Sequence, residues 1–526
     1  MEISLISRNF YNLGTNNHNN NLMIISSYGT KSHMGFGQIV KSSNLSYKIS
    51  AQSVSHSQIA ASTKASQEIT FSNHKDGVKL YVGLPMNSVS ECSAIKHSRA
   101  IAAGLKALKL LGVEGVELPI WWGVAEKESM GKYEWSGYLT LVNMVRDAGL
   151  KVHVSLCFHA SKEENTSLPS WVSRIGEMQP NIFFADQSGK RYKDCLSYGV
   201  DDLPVFDGKT AIQVYQGFIE SFKNTFSQFM GSTITGVTIG MGPDGELRYP
   251  SQSDHFKNGV GYGAGEFQCY DENMMRNLKQ HAENFGNPLW GLCGPHDAPR
   301  YNQQPIIDTF FKEGGSWETA YGDFFLSWYS SQVISHADRM LSLVASSFSD
   351  HTTVMVSGKL PLVHSWYRSR SHPAEVTAGF YNTINRNGYE EIAKIFHKNS
   401  CRMILPGIDL LDEQQPKESF SSPERLFADI RDSCRNRGVE ICGQNMHVAG
   451  TVKSFEQIKK NLACENGINL FLYQRMGGDF FSPKNFPLFS SFVRKLNQLE
   501  LDSDDCAYER DDVVFVPSEN RTLQAA

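Results

Sequence analysis

No CxxC pair occurs in this sequence and no histidine cluster has zinc-ligand spacing, although ten cysteines are scattered from Cys92 to Cys506. A structural zinc site therefore lacks a ligand set, and scattered thiols suit a reducing compartment. No GxGxxG, GxxxxGKS or GxxxxGKT string follows an apolar segment, which removes support for chemistry on a cradled phosphate. The sequence calls for no cofactor and no metal. No uninterrupted apolar run reaches the ~18 residues that a membrane span needs. A net charge of −5 over 526 residues provides no field to gather nucleic acid or an anionic membrane.

Acid is missing in one place. Between Glu2 and Glu68 there is no Asp or Glu, while Ser and Asn abound and Arg8, Lys31, Lys41, Lys48 and Lys64 are spaced along the stretch. That is the composition of an organelle transit peptide, and it lacks the compact apolar core of a secretory signal. Residues 1–75 are expected to be a plastid transit peptide or a disordered tail, outside the fold either way. The opposite bias closes the chain: Glu500, Asp502, Asp504, Asp505, Glu509, Asp511 and Asp512 make residues 498–526 an expected solvated, disordered acidic tail.

Between the tails the composition is that of an ordinary soluble chain, 40% hydrophobic and 20% charged, with ample apolar residues for a large core. Short apolar segments read as strands at Val78–Pro85, Gly115–Trp121, Lys151–Phe158, Ile234–Gly242, Thr353–Val363, Cys401–Leu410, Glu440–Asn445 and Ile468–Arg475. Amphipathic helical patterns separate most of them. Ser93–Leu111 carries Ala94, Ile101, Ala102, Leu105 and Leu108 on one stripe, and Tyr321–Phe348 and Glu391–His397 are similar. Strands alternating with helices in this way predict a single (β/α)8 barrel over residues 76–497, with an open doubly wound sheet as the alternative. A long loop-rich insertion, Gly242–Ala320, follows the fourth predicted strand, and barrels carry their function on loops at that end.

Chemistry-bearing residues collect at the predicted strand ends. Gly242-Pro243-Asp244-Gly245-Glu246-Leu247-Arg248-Tyr249-Pro250 follows the fourth strand, and its glycines and proline favour a tight turn that presents Glu246 at the barrel mouth. A carboxylic acid there can protonate a leaving oxygen if its surroundings raise its pKa; a salt-bridged loop Glu fits the same spacing. The third strand ends at Phe158-His159, the fifth carries Lys359 and His364 with Trp366 and Tyr367 beyond, and the eighth ends in Tyr473-Gln474-Arg475. Aromatic faces among hydrogen-bonding groups suit a neutral polyhydroxylated ligand. His159 can equally be structural, and Trp121-Trp122 can equally be core. The residues alone reach a barrel with a polar, aromatic mouth.

These strings resemble the plant beta-amylases, glycoside hydrolase family 14. The resemblance runs from about Val78 to Leu496 and rests on Trp121-Trp122-Gly123, the Gly242–Pro250 string, Gly265-Glu266-Phe267-Gln268-Cys269-Tyr270-Asp271, Trp328-Tyr329-Ser330 and Thr377-Ala378-Gly379. It implies an inverting exo-hydrolase that releases maltose from α-1,4-glucan ends. Inversion needs one carboxyl group to protonate the glycosidic oxygen and another to take a proton from the attacking water. Glu246 matches the family's acid. The family's base lies in a Gly-Glu-Asn string, which here reads Gly443-Gln444-Asn445. A neutral amide oxygen is too weak a base to activate water near neutral pH.

Other positions depart from the family as well. The sugar-holding Asp before its Trp-Trp-Gly is Pro119 here, and an inner-loop Thr that contacts sugar is Pro406. The family's glycine-rich lid ends in a substrate-binding Asp. Here Phe158-His159 is followed by the shorter, glycine-free Ala160-Ser161-Lys162-Glu163-Glu164-Asn165, which should close poorly as a lid. Matching substrate-binding positions persist at His159, Lys359, His364, Asn445 and Arg475. The resemblance thus implies a plastid protein of starch metabolism that is catalytically silent and acts by binding α-1,4-glucan or maltodextrin, or through protein partners. Nucleic acid and membrane are not expected as partners. A slow amylase that recruits Asp409 or Asp412 as base is the alternative. A nuclear DNA-binding regulator is a third reading, for which the N-terminal segment lacks a dense basic helix.

Overall fold

Gly115–Trp121 is buried at all seven positions, which fits a strand covered by helices on one face and by barrel-lining side chains on the other. The computed structural model describes residues 77–252, 263–305, 310–446, 450–464 and 468–496. The segments expected to be a transit peptide and an acidic tail lie outside the described residues. The strands are β1 (Lys79–Gly83), β2 (Gly115–Trp121), β3 (Lys151–Cys157), β4 (Phe183–Ala185), β5 (Arg191–Leu196), β6 (Ile234–Ile239), β7 (Met355–Lys359), β8 (Arg402–Pro406), β9 (Ile441–Gln444) and β10 (Leu470–Tyr473). β4 and β5 form a separate antiparallel pair. The other eight close a parallel barrel in the order β1-β2-β3-β6-β7-β8-β9-β10, with β1 bonded to both β2 and β10. Closure excludes the open-sheet alternative. Each expected strand contains one barrel strand, and all but Gly115–Trp121 are shorter than expected at one or both ends.

The expected helices are present with shifted starts. Ser98–Leu111 buries Ile101, Gly104, Leu105 and Leu108 and stops at Gly112, whose φ of 89° suits glycine. It begins later than Ser93 because Ser93 and His97 take left-handed backbone in a loop closed by the Val89–Ile95 bridge. The 28-residue helix Ala320–Ser347 is capped by Thr319, whose side chain accepts the Gly322 N–H. Among the described residues no helix is long and apolar enough to cross a membrane.

Inside the barrel the packing is partly polar. The Tyr81 hydroxyl on β1 reaches Thr235 Oγ1 on β6 at 2.9 Å, three strands round the barrel. His153 Nε2, Thr238 Oγ1 and Ser357 Oγ form a chain at 2.6 and 2.8 Å. Tyr81, Ile404, Cys442, Leu470 and Leu472 make an apolar cluster apart from the main core.

Candidate active site

A tight turn after β6 sets the position of Glu246. Asp244 and Gly245 both have left-handed backbone, φ 55° and 76°, and Glu246 then bridges to Lys359 at the end of β7. Backbone bonds from Leu247 N to Lys359 O at 2.9 Å and from Tyr249 N to Ala378 O at 3.0 Å fix the chain beyond Glu246. The Glu246 carboxylate is 14% exposed. Arg248 Nε donates to its Oε2 at 3.0 Å, and Lys359 Nζ lies 3.3 Å from its Oε1. Arg248 Nη2 donates to Asp244 at 2.6 Å. Burial works against the Arg248 charge, but Asp244 and Glu246 outweigh it and raise its pKa further. In the sequence Asp244 and Arg248 read only as part of the turn, with no role of their own.

Two buried groups hold both ends of this turn. His336 Nδ1 meets Asp201 at 2.7 Å and its Nε2 meets Met241 O at 3.0 Å. Tyr198 stacks on His336 with centroids 4.2 Å apart and donates its hydroxyl to Arg248 O at 2.7 Å. No sequence signal pointed to this clamp, because its members lie 95 and 135 positions apart along the chain.

His159 is 4% exposed and lies edge-on to Trp121. Burial lowers its pKa to about 4, so the ring is neutral near pH 7. Its Nδ1 has no hydrogen-bond partner among the described residues, and its ring lies close to Gly245. The loop after it is sewn down rather than poised: Ser161 and Thr166 bridge, and Ala160 N bonds Asp194 O on β5 at 2.6 Å. Trp121 and Trp122 are 1% and 0% exposed, which places both in the core. Cys157 at the end of β3 is pushed up to about 12 by burial and the Glu117 charge, so it is no ready thiolate.

Gln444 ends β9, in register with Pro406 on β8 and Leu472 on β10. It is 5% exposed. Two of the departed positions are therefore cross-strand neighbours. Pro119 sits in β2 opposite Ser155, beyond Glu117, where pairing with β1 ends and a strand tolerates proline more readily. His364 Nδ1 meets Ser421 Oγ at 2.9 Å. Asp409 accepts the Met446 N–H at 2.7 Å. Asp412 is held by Arg368 at 3.0 Å, by Ser422 Oγ at 2.5 Å and by the Glu424 N–H at 3.0 Å.

The remaining two matched positions are committed to the protein itself. Asn445 Nδ2 donates to Gln474 O at 2.9 Å while its Oδ1 accepts the Gln474 N–H at 2.7 Å. Arg475 Nη1 donates to Leu84 O at 2.6 Å, and its Nη2 donates to Gln474 Oε1. Gln474 Nε2 passes the contact on to Glu117 at 2.5 Å, and Ser155 Oγ donates to the same carboxylate at 2.7 Å. Arg475 Nη2 lies 3.8 Å from Glu117. Gly83 lies under this group, where a Cβ would stand 3.1 Å from both Arg475 Cβ and Glu117 Oε2. Glu117 was missed at the sequence level. Its signal was a charge within Gly-Val-Glu-Leu-Pro-Ile-Trp, an otherwise uncharged strand.

Residues 81–500 match the family model described as Glycosyl hydrolase family 14. Over 435 residues the chain is 59% identical to the Arabidopsis thaliana protein named inactive beta-amylase 9, covering 82% of this chain and 80% of that one. It is 38% identical over 437 residues to beta-amylase 1, chloroplastic, of Oryza sativa subsp. japonica, covering 81% and 82%. The catalytic domain of a beta-amylase from Paenibacillus polymyxa superposes with a TM-score of 0.66 at 23% identity, covering 80% of this chain and 99% of that one. The last likeness speaks to fold alone.

Proposed function

Because the chain belongs to glycosyl hydrolase family 14, we propose that it is a catalytically silent member which holds α-1,4-glucan at its barrel mouth in the plastid. Glu246 stands at the proton-donor position and Gln444 at that of the lost base. The observation that carries this reading is the neutral amide closing β9. An inverting hydrolase needs a second carboxyl group to take the water's proton, and an amide offers only a hydrogen bond. The relative named inactive supports the reading. His159, Lys359 and His364 remain as sugar-binding groups, while Asn445 and Arg475 shape the wall. Binding should therefore be weaker than turnover would require.

Residues 1–75 are proposed as the targeting segment, 76–497 as the barrel and 498–526 as an acidic tail. Support comes from the acid-poor first segment and from the rice relative whose name places it in the chloroplast. A chain tagged at its C-terminus is expected in plastids by fluorescence microscopy; nuclear signal would refute the assignment and restore the DNA-binding alternative. Calorimetric titration of the purified protein with maltose and longer maltodextrins is expected to show saturable binding. Absence of heat with every chain length would discard glucan binding and leave a role through protein contacts.

A further inference from the structure

Two bulky residues at the mouth adopt a backbone conformation that such side chains avoid. Trp366, in the loop after β7, has a φ of 60°, and Phe420, in the loop after β8, has a φ of 47°. Left-handed backbone at non-glycine residues persists only where the surroundings enforce it, and it gathers at ligand clamps. Here the two loops enforce it on each other. Trp366 N bonds Ser419 O at 2.8 Å and Arg368 N bonds Phe420 O at 2.9 Å. His364 Nδ1 joins Ser421 Oγ at 2.9 Å. The two rings consequently stack, with centroids 5.2 Å apart and planes 12° from parallel. Trp366 is 2% exposed, whereas Phe420 keeps 38%. Strain at Phe420 is thus not offset by full burial. The ring is held flat against a rigid backing and left open to solvent.

We propose that Phe420, backed by Trp366, is a stacking platform for a pyranose ring of an α-glucan chain at the barrel mouth. The proposal rests on the glucan-binding function proposed above and adds a receiving surface to the groups around Glu246. A pyranose offers a face of C–H groups, which complements the negative face of an aromatic ring. Polar groups on the same loops can meet its hydroxyls: His364, and Arg368 with its partner Asp412 at 3.0 Å. A single aromatic face with polar neighbours fits a sugar better than a protein helix, which would need a broader apolar groove.

The test compares the full chain with its Phe420→Gly and Phe420→Trp variants, by thermal melting and by calorimetric titration with maltoheptaose. Glycine accepts left-handed backbone without strain, so Phe420→Gly is expected to melt no lower than the unsubstituted protein. Its affinity for maltoheptaose is expected to fall about three- to tenfold, the equivalent of one aromatic stacking contact. Phe420→Trp should keep the affinity. Binding unchanged in Phe420→Gly would overturn the platform and leave the glucan reading intact. A Phe420→Gly chain melting several degrees lower would mark the ring as packing and overturn the platform too. If the unsubstituted chain binds no maltoheptaose, the glucan reading fails and the platform fails with it.

Discussion

Gln444→Glu is expected to raise maltose release from maltopentaose by about 10²-fold or more over the unsubstituted chain, the lower end of what a positioned general base contributes. The side chains are nearly isosteric, and no described group depends on the Gln444 amide for a hydrogen bond, so the exchange should leave β9 in place. The gain must depend on Glu246. Adding Glu246→Gln should return the rate to background, because protonation of the leaving oxygen and activation of water are both required. Full activity is not expected. Pro406 stands beside Gln444 in the β8–β9 register, Pro119 offers no acceptor to a sugar, and the loop after His159 is tied to β5. Two results would change the reading. Silence in Gln444→Glu would place the deficit in those other positions as much as in the base. Maltose released by the unsubstituted chain and abolished by Glu246→Gln would show that another carboxylate already serves, with Asp409, Asp412 and Glu117 to be replaced in turn.

The barrel was legible in the sequence because its strands are short, apolar and bounded by polar loops, so periodicity alone located all eight. Strand ends were less legible. Thr353–Val363 yields only Met355–Lys359 as strand, since Leu360 and Leu362 beyond it are buried in the core outside the sheet and read like strand. The β4–β5 hairpin escaped notice because Arg191–Leu196 mixes exposed and buried positions and lies in the connection between β3 and β6. Within the site, residue types were visible but partners were not. Asn445 and Arg475 were legible as polar groups at strand ends, but their contacts with Gln474, Leu84 and Glu117 were not. No pattern rule links Glu117 to Gln474, 357 positions later; only barrel closure brings β2 and β10 to either side of Gly83.

That closure also sets how the strand ends at the mouth keep their shape. Inward side chains at a barrel mouth serve packing and ligand at once. Here Asn445 joins the ends of β9 and β10, and Arg475 joins β10 to the chain after β1. These donors reach the wall itself, where they tie the strand ends together.

Glu117→Leu is expected to destabilise the barrel by about 3–5 kcal/mol, the cost of removing one partner of a buried charge pair and leaving the other unpaired. The Glu117 side chain is 9% exposed and that of Arg475 22%, so solvent screening takes little from the effect. Arg475→Leu should cost a similar amount. The double variant should cost less than the two together, since neither charge is then left alone. The pH dependence has a definite sign. Burial pushes the Glu117 carboxyl up, but Arg475, Ser155 and Gln474 outweigh it and leave it below its ordinary value of 4.5. A carboxyl depressed on folding adds stability at pH above its unfolded value, and that increment fades as pH falls through the folded one. The gap between the unsubstituted protein and Glu117→Leu in urea unfolding should therefore be largest near neutral pH and shrink below pH 4.5. Equal unfolding midpoints at pH 7 would show that Arg475 keeps its place without Glu117, and that the ion pair is incidental to the wall between β2 and β10.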